Sequence, residues 1–205
     1  MMLVIGLTGG IATGKSTTAA MIRDRGIPLH DADAAVHEMM AAGGLVTGLV
    51  AEAFGDDILT AEGAVDRQRL GRVVFADSAL RKRLEAIIHP LVADDRDGFL
   101  EMHRKAGAPL VVLDIPLLFE TGSDGICDFV ILCSSPHRIQ RERALARAGM
   151  TDTKLDAILA SQMPLAEKRA RANAEINTGL GLDKAEAMLD SILDGPVRQL
   201  RQEID

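Results

Sequence analysis

The 205-residue sequence has no tryptophan, no tyrosine and only 5 phenylalanines. Proteins that grip single-stranded nucleic acid stack bases on aromatic side chains, so this chain lacks the means to be one of them. Excess positive charge is missing too. The 23 Lys and Arg residues face 30 Asp and Glu, a net charge of −7, and a broad phosphate-backbone surface would need the opposite balance. No nucleic-acid partner is expected, and an anionic ligand must be held by local chemistry. No apolar run approaches the roughly 20 residues of a membrane span, and the short one at the start has no basic flank. The chain reads as cytoplasmic and unprocessed, with no membrane partner. The two cysteines, Cys127 and Cys133, stand in or beside an apolar run without a Cys-x-x-Cys pairing, so both are expected to be inert buried thiols.

Hydrophobic residues make up 47% of the chain, enough at this length for a single core. Continuous apolar runs at 3–7, 27–30, 109–114 and 129–133 are bounded by Gly, Asp or Ser. Continuous rather than alternating apolarity suggests strands covered on both faces, as in a parallel sheet. Helical patterns fill 15–25, several stretches between 34 and 106, then 136–148, 152–162 and 184–193. This alternation predicts a doubly wound, three-layer α/β fold. The long gap between the second and third strands reads as an inserted helical lobe. In it Leu80, Leu84, Ile87 and Leu91 recur at helical spacing until His89-Pro90 disturbs the pattern.

The segment Gly9-Gly10-Ile11-Ala12-Thr13-Gly14-Lys15-Ser16-Thr17 fits G-x-x-x-x-G-K-[ST], and it lies where a strand should run into a helix. Glycines let main-chain N–H groups curl around phosphate oxygens, and the helix start adds partial positive charge. Lys15 would bridge the β and γ phosphates of ATP. Ser16 would offer its hydroxyl to Mg²⁺, which keeps most of its water and takes few protein ligands.

Three further groups of residues suit phosphoryl transfer. Asp31 and Asp33 follow the second strand, at the sheet edge where open α/β folds bind ligands. Their alternate spacing puts only one on a given face, placed to take a proton from an acceptor hydroxyl, with Asp33 preferred; a helix cap before Ala34 is the bland alternative. Asp114 closes the third strand, where an acid can stand near the metal, or it serves a turn. Residues 116–120, Pro-Leu-Leu-Phe-Glu, form a stiff apolar loop that holds an acceptor or plugs the core. On the helix at 136–148, Gln140, Arg143 and Arg147 share a face, and a second basic run, Lys168-Arg169-Ala170-Arg171, follows shortly after; such clustered guanidiniums suit a lid that stabilises the transferring group, unless they are a solvated face.

In combination these motifs resemble one family. The segments IGLTGG, DADAAVHEM, FGDDIL, EGAVDRQRLGRVVF, LEAIIHP, LDIPLLFETG, QRERALAR and SQMPLAEKRARA, in this order, are similar to the dephospho-coenzyme A kinases. The resemblance implies transfer of the ATP γ-phosphoryl group to the ribose 3′-hydroxyl of dephospho-CoA, with Mg²⁺ as cofactor. It implies a five-stranded, nucleoside-monophosphate-kinase-like P-loop fold with 1–33, 107–140 and 172–205 as nucleotide core, 34–106 as helical acceptor lobe and 141–171 as lid. By position, Gly9 to Thr17, Arg143, Arg147 and Asn177 would bind ATP, with Asp33, Lys15 and Arg143 catalytic. Thr8, Asp31, His89, Leu117, Leu118 and Glu120 would contact the acceptor, and Ser16 and Asp114 the metal. The sequence assigns no oligomeric state.

Two departures stand out. Ala12 replaces a usual glycine, which a loop residue with φ below zero tolerates, and Asn173 replaces an acid in a segment that runs one residue short, 172–179. Two rival readings remain: a kinase for another small hydroxyl or nucleotide acceptor on the same fold, and a binding protein without catalysis. Thr153-Lys154-Leu155-Asp156 also fits a guanine-reading [NT]-K-x-D pattern, but at a helix start rather than a strand end.

Overall fold

The computed structural model describes residues 1–204; Asp205, the last residue of the expected core segment, lies outside them. The strands are β1 (Leu3–Gly9), β2 (Leu29–Asp31), β3 (Leu110–Asp114), β4 (Phe129–Ser134) and β5 (Ala174–Asn177), and they form one sheet in the order β2-β3-β1-β4-β5. Strand β1 runs parallel to β3 and β4, and β4 runs parallel to β5. All seven residues of β1 and all six of β4 are buried, which is why these strands read as unbroken apolar runs.

The chain divides into two compact units, Met1–His30 with His103–Asp205, and Asp31–Met102. In the first, helices α1 (Lys15–Asp24) and α9 (Leu182–Ile192) pack on the sheet through Ala19, Ile22, Ala185, Leu189 and Ile192. Helices α6 (His137–Leu145), α7 (Asp152–Ser161), α8 (Leu165–Arg171) and α10 (Arg198–Ile204) complete it. Because parallel strands share a direction, their carboxyl ends collect on one edge. Gly9 is in register with Cys133, Ser134 with Asn177, and Leu7 with Asp114.

The second unit holds α2 (Ala32–Met39), α3 (Leu45–Phe54), α4 (Arg67–Ala76) and most of α5 (Ser78–Lys105). Its own core joins Met39, Met40, Val46, Val50, Ile58, Val65 and Leu70 to Leu84, Ile87, Ile88, Leu91 and Val92 of α5. The expected disturbance at His89-Pro90 does not break α5, which runs through Pro90. Proline removes one helical hydrogen bond, but apolar residues on both sides of it anchor the same face to this core. The edge strand β5 and the helices α8 and α10 lie outside the sequence-based element assignment. The four residues of β5 read Ala-Glu-Ile-Asn, with one apolar anchor, Ile176, fully buried. In α8 the one buried residue is a lysine.

Candidate active site

The loop between β1 and α1 is built around close approaches. A Cβ on Gly9 would lie 2.6 Å from the Thr13 Oγ1 and 2.7 Å from the Cys133 carbonyl, so a side chain has no room there. Gly14 has φ +84° and caps α1 without a side chain. The first amides of a helix have no intrahelical acceptor, and Gly14 leaves those of Lys15 and Ser16 for a ligand. Ala12 corrects the expectation of negative φ: at +57° it is the one non-glycine residue with positive φ among the described residues. That conformation costs an L-residue roughly 1–2 kcal/mol. It is offset in part because the buried Ala12 methyl packs with Ala144 and Leu155 of α6 and α7.

Lys15 Nζ sits 2.7 Å from Asp114 Oδ1, with side-chain exposures of 14% and 3%. Asp114 is thus an anchored carboxylate beside the phosphate loop rather than a turn residue. Ser16 is exposed at the second position of α1. No cluster of three or more His, Cys, Asp or Glu side chains suited to a metal exists among the described residues. At the head of α1, Ser16 and Asp114 are residues that could hold a cation, a small donor set of the kind Mg²⁺ takes, usually one or two carboxylates plus phosphates.

The segment after β3 divides between plugging the core and facing solvent. Leu118 and Phe119 are buried with Val130, against Ile115, Cys127, Met163 and Ala172, whereas Leu117 is 41% exposed. Thr8 is fully buried and donates its hydroxyl to the Pro116 carbonyl at 3.0 Å, so it acts on this loop rather than outward. Glu120 Oε1 accepts from the Met163 amide and pairs with Lys168 Nζ, each at 2.8 Å. Lys168 is 1% exposed. Arg171, one turn on, pairs with Asp124 at 2.6 Å and lies over the Phe119 ring. Burial alone would raise the Glu120 carboxyl, but Lys168 and the Met163 amide hold it below the usual carboxylate range. From the sequence Lys168 reads only as part of the basic run at 168–171, and its letter there gives no sign of burial or of a partner at Glu120.

The neighbouring residue ties this region to the phosphate loop. Gln162 Oε1 accepts from the Ile11 amide at 3.2 Å, and Gln140 Nε2 donates to the Ile11 carbonyl at 2.9 Å. Gly10 passes close to both glutamines, leaving 3.2 Å between each and a Cβ placed there. The Gln140-Arg143-Arg147 face is shorter than expected, because α6 ends at Leu145 and leaves exposed Arg147 in the turn beyond. Arg143 directs Nη1 to the Thr178 hydroxyl at 2.9 Å and Nη2 to its carbonyl at 3.0 Å. Arg141 pairs with Asp152 and Asp156. Asp156 and the rest of Thr153-Lys154-Leu155-Asp156 lie inside α7, which removes the guanine-reading match.

Asn177 ends β5 and caps the following turn by accepting from the Gly179 amide at 3.0 Å. A Cβ on Gly179 would lie 2.3 Å from Pro136, so the chain needs glycine to pass there. Asn173 stands at the opposite, amino end of β5. Its Oδ1 accepts from the Val130 amide at 2.8 Å and its own amide donates to the Val130 carbonyl at 3.0 Å. It starts the β4–β5 pairing, so its departure from the usual acid bears on the sheet.

In the second unit, Asp31 accepts from the Ala34 amide at 3.0 Å and caps α2. The two acids were expected to alternate along an extended edge. Instead Asp31 ends β2, and Asp33 is exposed in the first turn of α2. Their separation therefore comes from a cap and not from strand alternation. His89 is exposed on α5.

Of the cysteines, Cys133 is buried in β4 while Cys127 is half-buried. Burial pushes the Cys133 thiol up to about 12, which leaves a thiolate fraction of about 10⁻⁴ at pH 8. Iodoacetamide at pH 8 is expected to leave Cys133 unmodified in the native protein and to label it in urea, as read by peptide mass spectrometry. Native labelling at the unfolded rate would show the thiol is not sequestered.

A family model for dephospho-CoA kinase matches residues 3–183. The dephospho-CoA kinase of Mesorhizobium japonicum is 52% identical over 193 residues, covering 94% of this chain and 96% of that one. That of Paramagnetospirillum magneticum is 54% identical over 168 residues, covering 82% and 78%. A solved structure from Thermus thermophilus superposes with a TM-score of 0.79 at 34% identity, covering 95% of this chain and 98% of its own. A dephospho-CoA kinase from Campylobacter jejuni shares the fold with a TM-score of 0.71 at 22% identity over the whole of both chains.

Proposed function

Because the chain belongs to the dephospho-CoA kinase family, we propose that it transfers the γ-phosphoryl group of ATP to the ribose 3′-hydroxyl of dephospho-CoA, giving CoA and ADP. The observation that carries this reading is the phosphate loop. Gly9 and Gly14 admit no side chain, the head of α1 is left uncapped, and Lys15 stands 2.7 Å from a buried acid. Main-chain amides and an ammonium group so arranged bind a polyphosphate by charge and by directed donors.

Lys15 exchanges Asp114 for the β and γ phosphate oxygens when ATP arrives. Ser16 and Asp114 are the residues that would hold Mg²⁺, whose role when bound is to neutralise charge on those oxygens. Arg143 adds charge beside the loop, and Arg147, free of α6, is the lid arginine. Leu117 is the apolar contact for the acceptor, with Thr8, Leu118 and Glu120 fixing its loop from behind. Asp31 and His89 are assigned to acceptor binding on the second unit. The acceptor oxygen attacks phosphorus, the bond to the ADP oxygen breaks, and the hydroxyl proton passes to Asp33.

Asp33 is preferred over Asp31 because Asp31 already caps α2. Phosphoryl transfer through a loose transition state asks little of a base early on, so Asp33→Asn is expected to lower kcat at the gentle end of general-base effects, about 10²-fold. The KM for ATP should stay within about twofold; near-normal kcat would return the proton to Asp31 or to water. The reaction itself is tested by ADP release with dephospho-CoA, AMP, shikimate or adenosine as acceptor. Turnover with dephospho-CoA should exceed the others by orders of magnitude, and a preference for another acceptor would overturn the assignment.

A further inference from the structure

The Thr178 side chain belongs to neither the phosphate-loop motif nor any catalytic group assigned above, yet it touches three parts of the site. Its hydroxyl lies 2.7 Å from the Thr13 carbonyl, 3.2 Å from the Ser134 carbonyl and 2.9 Å from Arg143 Nη1. The residue is buried, and its side-chain atoms fill the space where a Gly14 Cβ would be, at 2.7–2.9 Å. A hydroxyl has one proton to give. With the guanidinium donating to its oxygen, that proton goes to the nearer carbonyl, Thr13, and donation into the oxygen strengthens donation out of it.

We propose that Thr178 is a positioning residue, which locks the Thr13-Gly14 peptide and couples it to Arg143 so that the phosphate loop and α6 move as one body. The consequence for binding is direct. The peptide whose carbonyl Thr178 holds carries the Gly14 amide on its other side, and Gly14 sets the direction of the amides of Lys15 and Ser16. Gly14 can adopt φ +84° but, having no side chain, does nothing to hold it. Thr178 supplies that restraint from the end of β5. The inference rests on the ATP-binding reading of the loop, but not on the identity of the acceptor.

The test measures ATP affinity without acceptor, by displacement of a fluorescent ATP analogue, beside kcat and KM for dephospho-CoA. Thr178→Val keeps the shape and removes the hydroxyl. It is expected to weaken ATP binding about tenfold, the size of one lost hydrogen bond, while the KM for dephospho-CoA stays within about twofold. Thr178→Ser keeps the hydroxyl and should bind ATP within about twofold of wild type. Arg143→Met, at an exposed site, should weaken ATP binding about threefold alone and add less in the Thr178→Val background, since coupled residues are not additive.

Wild-type ATP affinity in Thr178→Val would overturn the proposal, and so would a Ser variant as weak as the Val variant, which would make the methyl the working part. If Thr178→Val does not fold, Thr178→Ala, which also removes the hydroxyl, replaces it in the affinity measurement and in the cycle with Arg143→Met, where wild-type affinity or full additivity would overturn the proposal. A wild-type protein that binds ATP but ignores dephospho-CoA would defeat the proposed reaction and leave this inference standing.

Discussion

Lys15→Met is expected to reduce turnover by about 10³-fold or more, the loss typical of removing a preorganised positive group from a transferring phosphoryl. The size follows from where the ammonium is held. At 14% exposure and 2.7 Å from Asp114, it is fixed at the head of α1 before substrate arrives, so little is reorganised during the reaction. The same substitution leaves the Asp114 carboxylate, 3% exposed, without its cation, which should lower stability by about 3 kcal/mol. Lys15→Met/Asp114→Asn separates the two effects. It is expected to recover most of the lost stability in chemical denaturation while turnover stays at the floor. Recovery of turnover along with stability would mean that Lys15 acts through the fold alone.

Lys168→Met has the largest expected effect on folding. Lys168 is 1% exposed, and its removal leaves Glu120, whose side chain is 17% exposed, with the Met163 amide as its remaining partner at Oε1. Breaking a buried pair from one side costs roughly 3–5 kcal/mol, or about 10 °C in melting temperature at this chain length. The pH dependence has a definite sign. In the wild type the Glu120 carboxyl is held below its usual value, so its stabilising contribution is present at neutral pH and lost as pH falls through the depressed folded-state value. In the variant the lysine no longer lowers that carboxyl, so its folded-state value rises above that of the wild type. The penalty is then largest at pH 7 and shrinks as the pH falls and the carboxyl takes up its proton. Lys168→Met/Glu120→Leu, which removes both charges, should regain at least half of the loss. A single variant with wild-type melting temperature would show that the pair contributes nothing.

The phosphate loop was legible because its chemistry is local. Glycines are demanded by crowding at Gly9 and by φ at Gly14, and the flanking strand and helix announce themselves as an apolar run and an amphipathic repeat. Strands β1, β3 and β4 were legible because burial on both faces leaves them almost wholly apolar, whereas the edge strand β2, Leu-His-Asp, is only partly buried. What escaped was set by tertiary contact. Strand β5 carries Glu175 and Asn177 because it lies at an edge of the sheet, and Arg169 takes Glu175 in a bidentate pair. Helix α5 survives Pro90 through packing against its unit's core. Ala12 accepts positive φ with its methyl seated between α6 and α7.

Glu120 and Thr178 show the same limit within the site. The run Leu-Leu-Phe-Glu suggests an acceptor contact, but three of its four members face inward, and the glutamate meets a lysine 48 positions away, as their numbering shows. The letter Thr at 178 carries no sign that its hydroxyl would reach the phosphate loop. Arg143 was visible as one of a cluster of basic residues on a helix face, yet its partner Thr178 could be found only once β5 had been placed beside β4.

The central claim is that ATP is held by the main-chain amides at the head of α1. Amide chemical shifts followed by NMR during titration with ATP and Mg²⁺ test it most directly. The largest changes are predicted at Gly14, Lys15, Ser16 and Thr17 in the wild type, and they should be lost in Lys15→Met/Asp114→Asn. Saturable ATP binding that leaves those four amides unmoved would contradict the account.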